Sequence, residues 1–243
     1  ESWAAECGYA IFLTFFLFTT QPSTTAIKST DFLMKPNWES RMITKIQTLI
    51  EENERFLVAA HMNPDGDAIS STLALGNALL EMGKEVVFYN GDPVPRLYRF
   101  LPGAKKLVNS LENSKSALFD VGFILDSGEL RRTGEHLTEK CRTLVNIDHH
   151  TNSERFTEFF WVDESAASTG TLIYRLLNSF SEYRLSLPVA TCLYTALISD
   201  TGSFRFANTD TETFQIAAEL VDTGVVPAEI AEQLFENQEE KTL

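Results

Sequence analysis

The sequence predicts an α/β fold, a mostly parallel β-sheet flanked by helices, and three observations carry that prediction. Short apolar runs suited to strands buried on both faces alternate with segments of helical periodicity. Such alternation calls for parallel pairing with right-handed crossovers. No internal repeat or low-complexity tract interrupts the pattern after residue 34. A chain of 243 residues, 44% hydrophobic and 22% charged, can bury the core of one large α/β domain or two small ones.

Taken in order, Trp38, Met42, Ile46, Leu49 and Ile50 recur at helical spacing, so residues 38–52 are expected to form an amphipathic helix. Phe56–His61 (FLVAAH) follows as a buried strand, residues 68–82 as a helix stopped by Gly83, and Glu85–Asn90 (EVVFYN) as the next strand. Val121–Asp126 (VGFILD) and Thr143–Asp148 (TLVNID) add two more buried strands, and Phe159–Asp163 an edge strand. Thr169–Phe180, Pro188–Ser199, Thr211–Thr223 and Pro227–Glu236 read as helices.

The apolar run Cys7–Thr20 falls short of the roughly 20 residues that span a bilayer. It also lacks a basic flank, so residues 1–33 read as an extension outside the domain, with a signal peptide or a membrane tether as the alternatives. The domain itself is expected over 34–235, and 236–243 as the start of a linker.

Charge narrows the function. The chain sets 20 Lys and Arg against 34 Asp and Glu, a net of −14 at pH 7, which repels a long polyanion held by many phosphate contacts. A track for duplex DNA is excluded on that ground, and phosphate must be drawn in by metal ions or a few cations. Cys7, Cys141 and Cys192 lack C-x-x-C spacing and read as buried thiols of a reducing, cytoplasmic setting.

Three of the apolar strands end in groups able to bind metal. The first runs into His61-Met-Asn-Pro-Asp65-Gly-Asp67, the third ends in Asp126, and the fourth in Asp148-His149-His150. Asp200 follows an apolar helix. Singly, each has a plain reading: Asn63–Gly66 is a turn sequence, Asp67 a helix cap, Asp126 a strand-end turn residue and Asp200 a helix terminus. In an open parallel sheet, however, the carboxyl ends of the strands form the ligand crevice. Coincidence there favours a metal site. The imidazole and carboxylate donors suit Mn²⁺ well and Mg²⁺ less well, and without Cys they argue against structural zinc.

His61-x-Asn-Pro-Asp65-Gly-Asp67-Ala68, Asp126 with Arg131 beyond it, Asp148-His149-His150 and Asp200-Thr-Gly-Ser-Phe resemble the four motifs of the DHH phosphoesterase family. The likeness covers about residues 36–240. Trp161–Ser168 and Gly202–Thr209 are most similar to the bacterial nanoRNase and pAp phosphatase branch, the oligoribonuclease A type. Ser70 departs from the family's usual Gly. A Gly-Gly-His motif, which the branch carries on a second, C-terminal DHHA1 domain, does not occur in the sequence.

The resemblance implies hydrolysis of short single-stranded oligoribonucleotides or of the small nucleotide pAp, by water that two Mn²⁺ ions activate, with Mg²⁺ as the alternative. It places His61, Asp65 and Asp126 on one ion and Asp67, Asp126, His149 and Asp200 on the other. His150 is expected to contact phosphate or protonate the leaving group, and Asp148 to orient a histidine. Arg131 and Arg205 read as solvated charges, and Ser168-Thr169 as a helix cap whose N-terminus could take a phosphate. A homodimer is compatible with the resemblance; a membrane partner is not expected. Selectivity from this domain alone is expected to be weak, because remote binding energy helps position the reacting group. The alternatives are a cyclic-dinucleotide phosphodiesterase, a pyrophosphatase, a RecJ-type exonuclease, or a non-catalytic nucleotide-binding module.

Overall fold

The structure, a computed structural model, describes residues 38–112, 118–134 and 137–236. The expected extension over 1–33, with its apolar run, and the linker beyond residue 236 lie outside the described residues.

Five strands, β1 (Arg55–Ala60), β2 (Glu85–Tyr89), β3 (Phe119–Leu125), β4 (Cys141–Asp148) and β5 (Phe159–Val162), form one sheet in the order β2-β1-β3-β4-β5. Every pairing is parallel. The strand order reverses between β1 and β3, the point at which open α/β sheets bind their ligands. Ala60 of β1 pairs in register with Leu125 of β3, and Leu125 with Ile147 of β4. That register sets the residues just beyond, His61, Asp126 and Asp148, along one edge.

The helices are α1 (Trp38–Glu52), α2 (Gly66–Glu81), α3 (Thr169–Asn178), α4 (Leu187–Asp200), α5 (Thr211–Asp222) and the short α6 (Pro227–Ala231), which runs on into a π turn over Glu232–Glu236. In α1 the apolar stripe buries Ile46 and Ile50, whereas Trp38 at its start stays exposed. Strand alternation divides the core. Phe56, Val58, Phe123, Leu125, Val145 and Ile147 join the large cluster under the helices, and Leu57, Ala59 and Ile124 face a smaller one with Tyr89, Leu111 and Leu137. Helices thus cover one face, and 3₁₀ turns such as Leu130–Thr133 and Leu137–Glu139 help cover the other. Cys141 and Cys192 are buried free thiols, as the sequence suggests. Among the described residues no helix is long and apolar enough to cross a membrane.

α2 is the central helix, buried on every side from Gly66 to Leu79. Its first turn meets the end of α4 so closely that a Cβ on Gly66 would stand 2.1 Å from Ser199 Oγ. A Cβ on Gly170, in the first turn of α3, would stand 2.5 Å from Ala196 Cβ of α4. These two glycines let three helix ends converge on the edge where β1, β3 and β4 finish.

Candidate metal centre

Asp65 caps α2: its side chain accepts a bond from Ala68 N at 3.0 Å. Asp67, expected as the cap if it held no metal, instead lies inside the first turn and is buried. Its Oδ1 accepts from Ser71 Oγ at 2.8 Å and Gly170 N at 3.0 Å, and its Oδ2 from Thr169 N at 2.6 Å. The α3 N-terminus, capped by Ser168, therefore already holds a carboxylate of this chain. The amides that the sequence left open to a phosphate are spent on Asp67.

Asp126, directly after β3, is buried and has a left-handed backbone, φ +53°. A non-glycine residue rarely adopts that conformation outside functional or tightly held positions. Thr169 Oγ1 donates to its Oδ1 at 3.0 Å. His61 Nδ1–H donates to Met62 O at 2.8 Å, which leaves Nε2 facing Asp126 Oδ2 at 3.6 Å and Asp65 Oδ2 at 4.0 Å. His149 repeats the device. Its Nδ1–H donates to Ala166 O at 3.2 Å, and Nε2 faces Asp200 Oδ2 at 3.4 Å, Asp126 Oδ1 at 3.7 Å and Asp67 Oδ2 at 3.8 Å.

Three overlapping groups thus have ligand atoms within 4.8 Å of one another: His61, Asp65 and Asp126; Asp67, His149 and Asp200; and Asp126, His149 and His150. All the residues picked out in the sequence as metal ligands fall in them. In the first two groups, imidazole nitrogens and carboxylate oxygens face one another, and among the described residues no Lys or Arg is paired with them. Such a donor set fits divalent cations, which would replace repulsion by coordination.

The electrostatics agree. Burial, with Asp126 and Asp200 close by, pushes the Asp67 carboxyl well above its ordinary range despite its three donors. Burial likewise lifts Asp200 to about 6, with Asp126 and Asp65 adding to the rise and His149 opposing it. On His61, burial works against the cation, but Asp126 and the Met62 carbonyl outweigh it and the net shift is upward.

His150 differs from its neighbour. It is half-exposed, and its Nδ1 donates to Asp148 Oδ1 at 2.7 Å, a bond that raises its pKa to about 9. Asp148 is fully buried yet held below the ordinary carboxylate range, because burial is outweighed by the His150 ring, Ser153 Oγ and the His150 amide, all of which donate to it. Arg131 pairs with Glu129 and is 81% exposed, and Arg205, also exposed, turns its Nε back to Gly202 O at 2.6 Å. A cleft of about 240 Å³ opens beside Asp65, Asp67 and Asp200, with Tyr98, Arg205 and Phe235 in its walls. A larger cavity of about 760 Å³, lined by Gln47, Glu81 and Tyr183 among others, contains none of the centre's residues.

Sequence reasoning missed Ser71, Ser153 and the Thr169 hydroxyl as groups that hold the acids. Ser71 alone left a signal, lying four residues after Asp67 on the same helix face.

The family model for the DHH family, N-terminal domain, matches residues 55–197. The chain is 36% identical over 198 residues to the bifunctional oligoribonuclease and PAP phosphatase NrnA of Thermus thermophilus, covering 81% of this chain and 58% of that protein. The protein of the same name from Bacillus subtilis is 30% identical over 200 residues, covering 81% of this chain and 62% of its own length. The chain thus spans about three fifths of these relatives. Among solved structures, an exopolyphosphatase-related protein from Bacteroides fragilis superposes with a TM-score of 0.77 at 25% identity, covering 82% of this chain and 62% of that one.

Proposed function

The chain belongs to the DHH family, and from that premise we propose that it is a divalent-metal-dependent phosphoesterase acting on short oligoribonucleotides and on 3′-phosphoadenosine 5′-phosphate (pAp). One observation carries the reading: Asp126 presents Oδ2 to His61 and Oδ1 to His149, so a single buried carboxylate joins two ligand groups. The names of the Thermus and Bacillus relatives support the substrate class.

In this reading His61, Asp65 and Asp126 would hold one Mn²⁺, and Asp67, Asp126, His149 and Asp200 would hold a second. Ions bound there supply Lewis acidity, lowering the pKa of water and neutralising charge on the phosphoryl oxygens. The protein's own groups do the rest. Ala166 and Met62 carbonyls fix the tautomers of His149 and His61, so that both Nε2 lone pairs face the centre. Thr169 Oγ1 orients the Asp126 carboxylate. The bond to Asp148 favours the cationic form of His150. Asp148 holds Nδ1–H, leaving Nε2–H to contact phosphate or protonate the departing oxygen. Five aspartates, at 65, 67, 126, 148 and 200, would repel a phosphate from the empty centre, and two divalent cations offset most of that charge.

The test is to strip the chain with a chelator, pass it through gel filtration, and assay pAp, a dinucleotide and pyrophosphate before and after adding Mn²⁺. Loss of hydrolysis and its return with Mn²⁺, fastest on pAp or the dinucleotide, is the expected result. Undiminished turnover after chelation contradicts the mechanism. Preference for pyrophosphate contradicts the substrate assignment and leaves the metal centre standing.

A further inference from the structure

We infer that three asparagines, Asn90, Asn146 and Asn208, are positioning residues that pin the main chain at His61, Asp126 and Asp200, keeping the ligands converged against their own repulsion. The inference rests on the metal-centre reading above.

Each amide comes from an element next to the ligand it serves. Asn90, buried just after β2, donates from Nδ2 to His61 O at 2.8 Å, while its Oδ1 accepts Asp92 N at 2.9 Å. Asn146, fully buried in β4, donates from Nδ2 to Ile124 O and to Ser127 O, both at 3.1 Å. Those two carbonyls bracket Asp126, the residue with left-handed backbone. Asn208 donates from Nδ2 to Asp200 O at 3.1 Å and to Ala167 O at 2.9 Å. Ala167 follows the carbonyl that fixes the His149 tautomer, so Asn208 ties the Asp200 turn to the segment that orients His149.

Chemistry explains the choice of residue. A side-chain amide carries two hydrogens at fixed separation and can bridge two carbonyls at once, which a hydroxyl cannot. Facing two acceptors, the amides of Asn146 and Asn208 can present only nitrogen, so their orientation is fixed by their partners. Among the described residues, Asn146 Oδ1 and Asn208 Oδ1 have no hydrogen-bond partner although both atoms are buried. A leucine of similar size would leave no buried amide oxygen to satisfy. Packing alone therefore does not account for these amides. Holding Asp126 in a costly backbone conformation, and holding carboxylates together before cations arrive, does.

Asn77 supplies the control. It makes the same kind of bond, Nδ2 to Pro102 O at 2.9 Å, but lies ten residues along α2 from Asp67, about 15 Å of helix. The experiment compares Asn146→Leu, Asn208→Leu and Asn77→Leu in the full chain, reading Mn²⁺ binding from the paramagnetic resonance signal of the free ion and stability from metal-free melting. Asn146→Leu and Asn208→Leu are expected to weaken Mn²⁺ binding by about 10-fold or more, and Asn77→Leu to lower the melting temperature with binding unchanged. Wild-type Mn²⁺ affinity in both folded centre variants overturns the inference, and so does an equal loss in Asn77→Leu. If Asn146→Leu does not fold, Asn90→Ser takes its place under the same criterion. A wild-type chain that binds no Mn²⁺ overturns the metal-centre reading itself, a result distinct from any difference among the variants.

Discussion

Two carboxylate clusters in this chain solve the problem of gathering negative charge in opposite ways. Around Arg175 of α3, Glu39 of α1 lies at 3.0 Å, Asp163 at 2.6 Å and Glu212 of α5 at 2.6 Å, all on one guanidinium. That cluster is complete within the chain. Asp163 loses to burial but gains more from Ser165 and Arg175, and its pKa falls. Around Asp126 the acids are more numerous, Asp67 and Asp126 are almost wholly buried, no Lys or Arg among the described residues is paired with any of them, and the carboxyls of Asp67 and Asp200 are pushed up. The first cluster staples helices together. The second spends stability on an arrangement that only added cations complete, which is the signature of a functional site.

The largest effect that can break this contrast is Asp126→Asn. Removing the shared charge is expected to lower kcat by roughly a thousandfold or more, while the metal-free melting temperature stays level or rises because repulsion is relieved. A metal-free variant that melts well below wild type shows instead that Asp126 is structural. Next is Gly66→Ala. The added Cβ meets Ser199 Oγ and forces the α2 and α4 ends apart, so Mn²⁺ affinity should fall by about 10-fold or more, measured by calorimetric titration; unchanged affinity means the helix contact does not set the ligand geometry.

Arg175→Met sharpens the other side of the comparison. Leaving three acids without their cation should cost about 1–3 kcal/mol, since the network is only partly buried. Melting is expected to drop by a few degrees, with Mn²⁺ affinity intact.

The smallest effect is in the pH dependence. Asp200 has a folded pKa of about 6 in the metal-free protein, above that of an ordinary carboxyl, so the unfolded chain gives up this proton first. Stability from this group is therefore lost as pH rises from about 4 to about 6. Asp200→Asn should flatten that fall in a metal-free melting series. Mn²⁺ binding should weaken over the same interval as pH is lowered, because the ion displaces this proton. A mutant series parallel to wild type removes Asp200 from the repulsive cluster.

The Arg175 cluster left no signal in the sequence, but much of the candidate centre did, for a physical reason. A buried parallel strand shows as an unbroken apolar run, and the polar residue that ends it marks the crevice, so His61, Asp126, Asp148 and His149 could be read directly. The start of α3 was also legible through its cap, Ser168. What could not be read depends on contacts between distant segments. Asp67 looks like a local cap, yet its donors come from Thr169 and Gly170, over a hundred residues later. The placement of β3 beside β1, the left-handed backbone of Asp126 and the asparagine pins have no local periodicity to reveal them. Trp38 continues the apolar stripe of α1 but lies where nothing covers it among the described residues, so its exposure is invisible to pattern alone.

If the reading holds, the buried Asp126 carboxylate joins two cation sites. A crystal structure of the chain soaked in Mn²⁺, read at the manganese absorption edge, tests it most directly. Two anomalous peaks are expected, one among His61, Asp65 and Asp126 and one among Asp67, His149 and Asp200, with Asp126 touching both. A single peak away from Asp126, or no peak at saturating Mn²⁺, contradicts it.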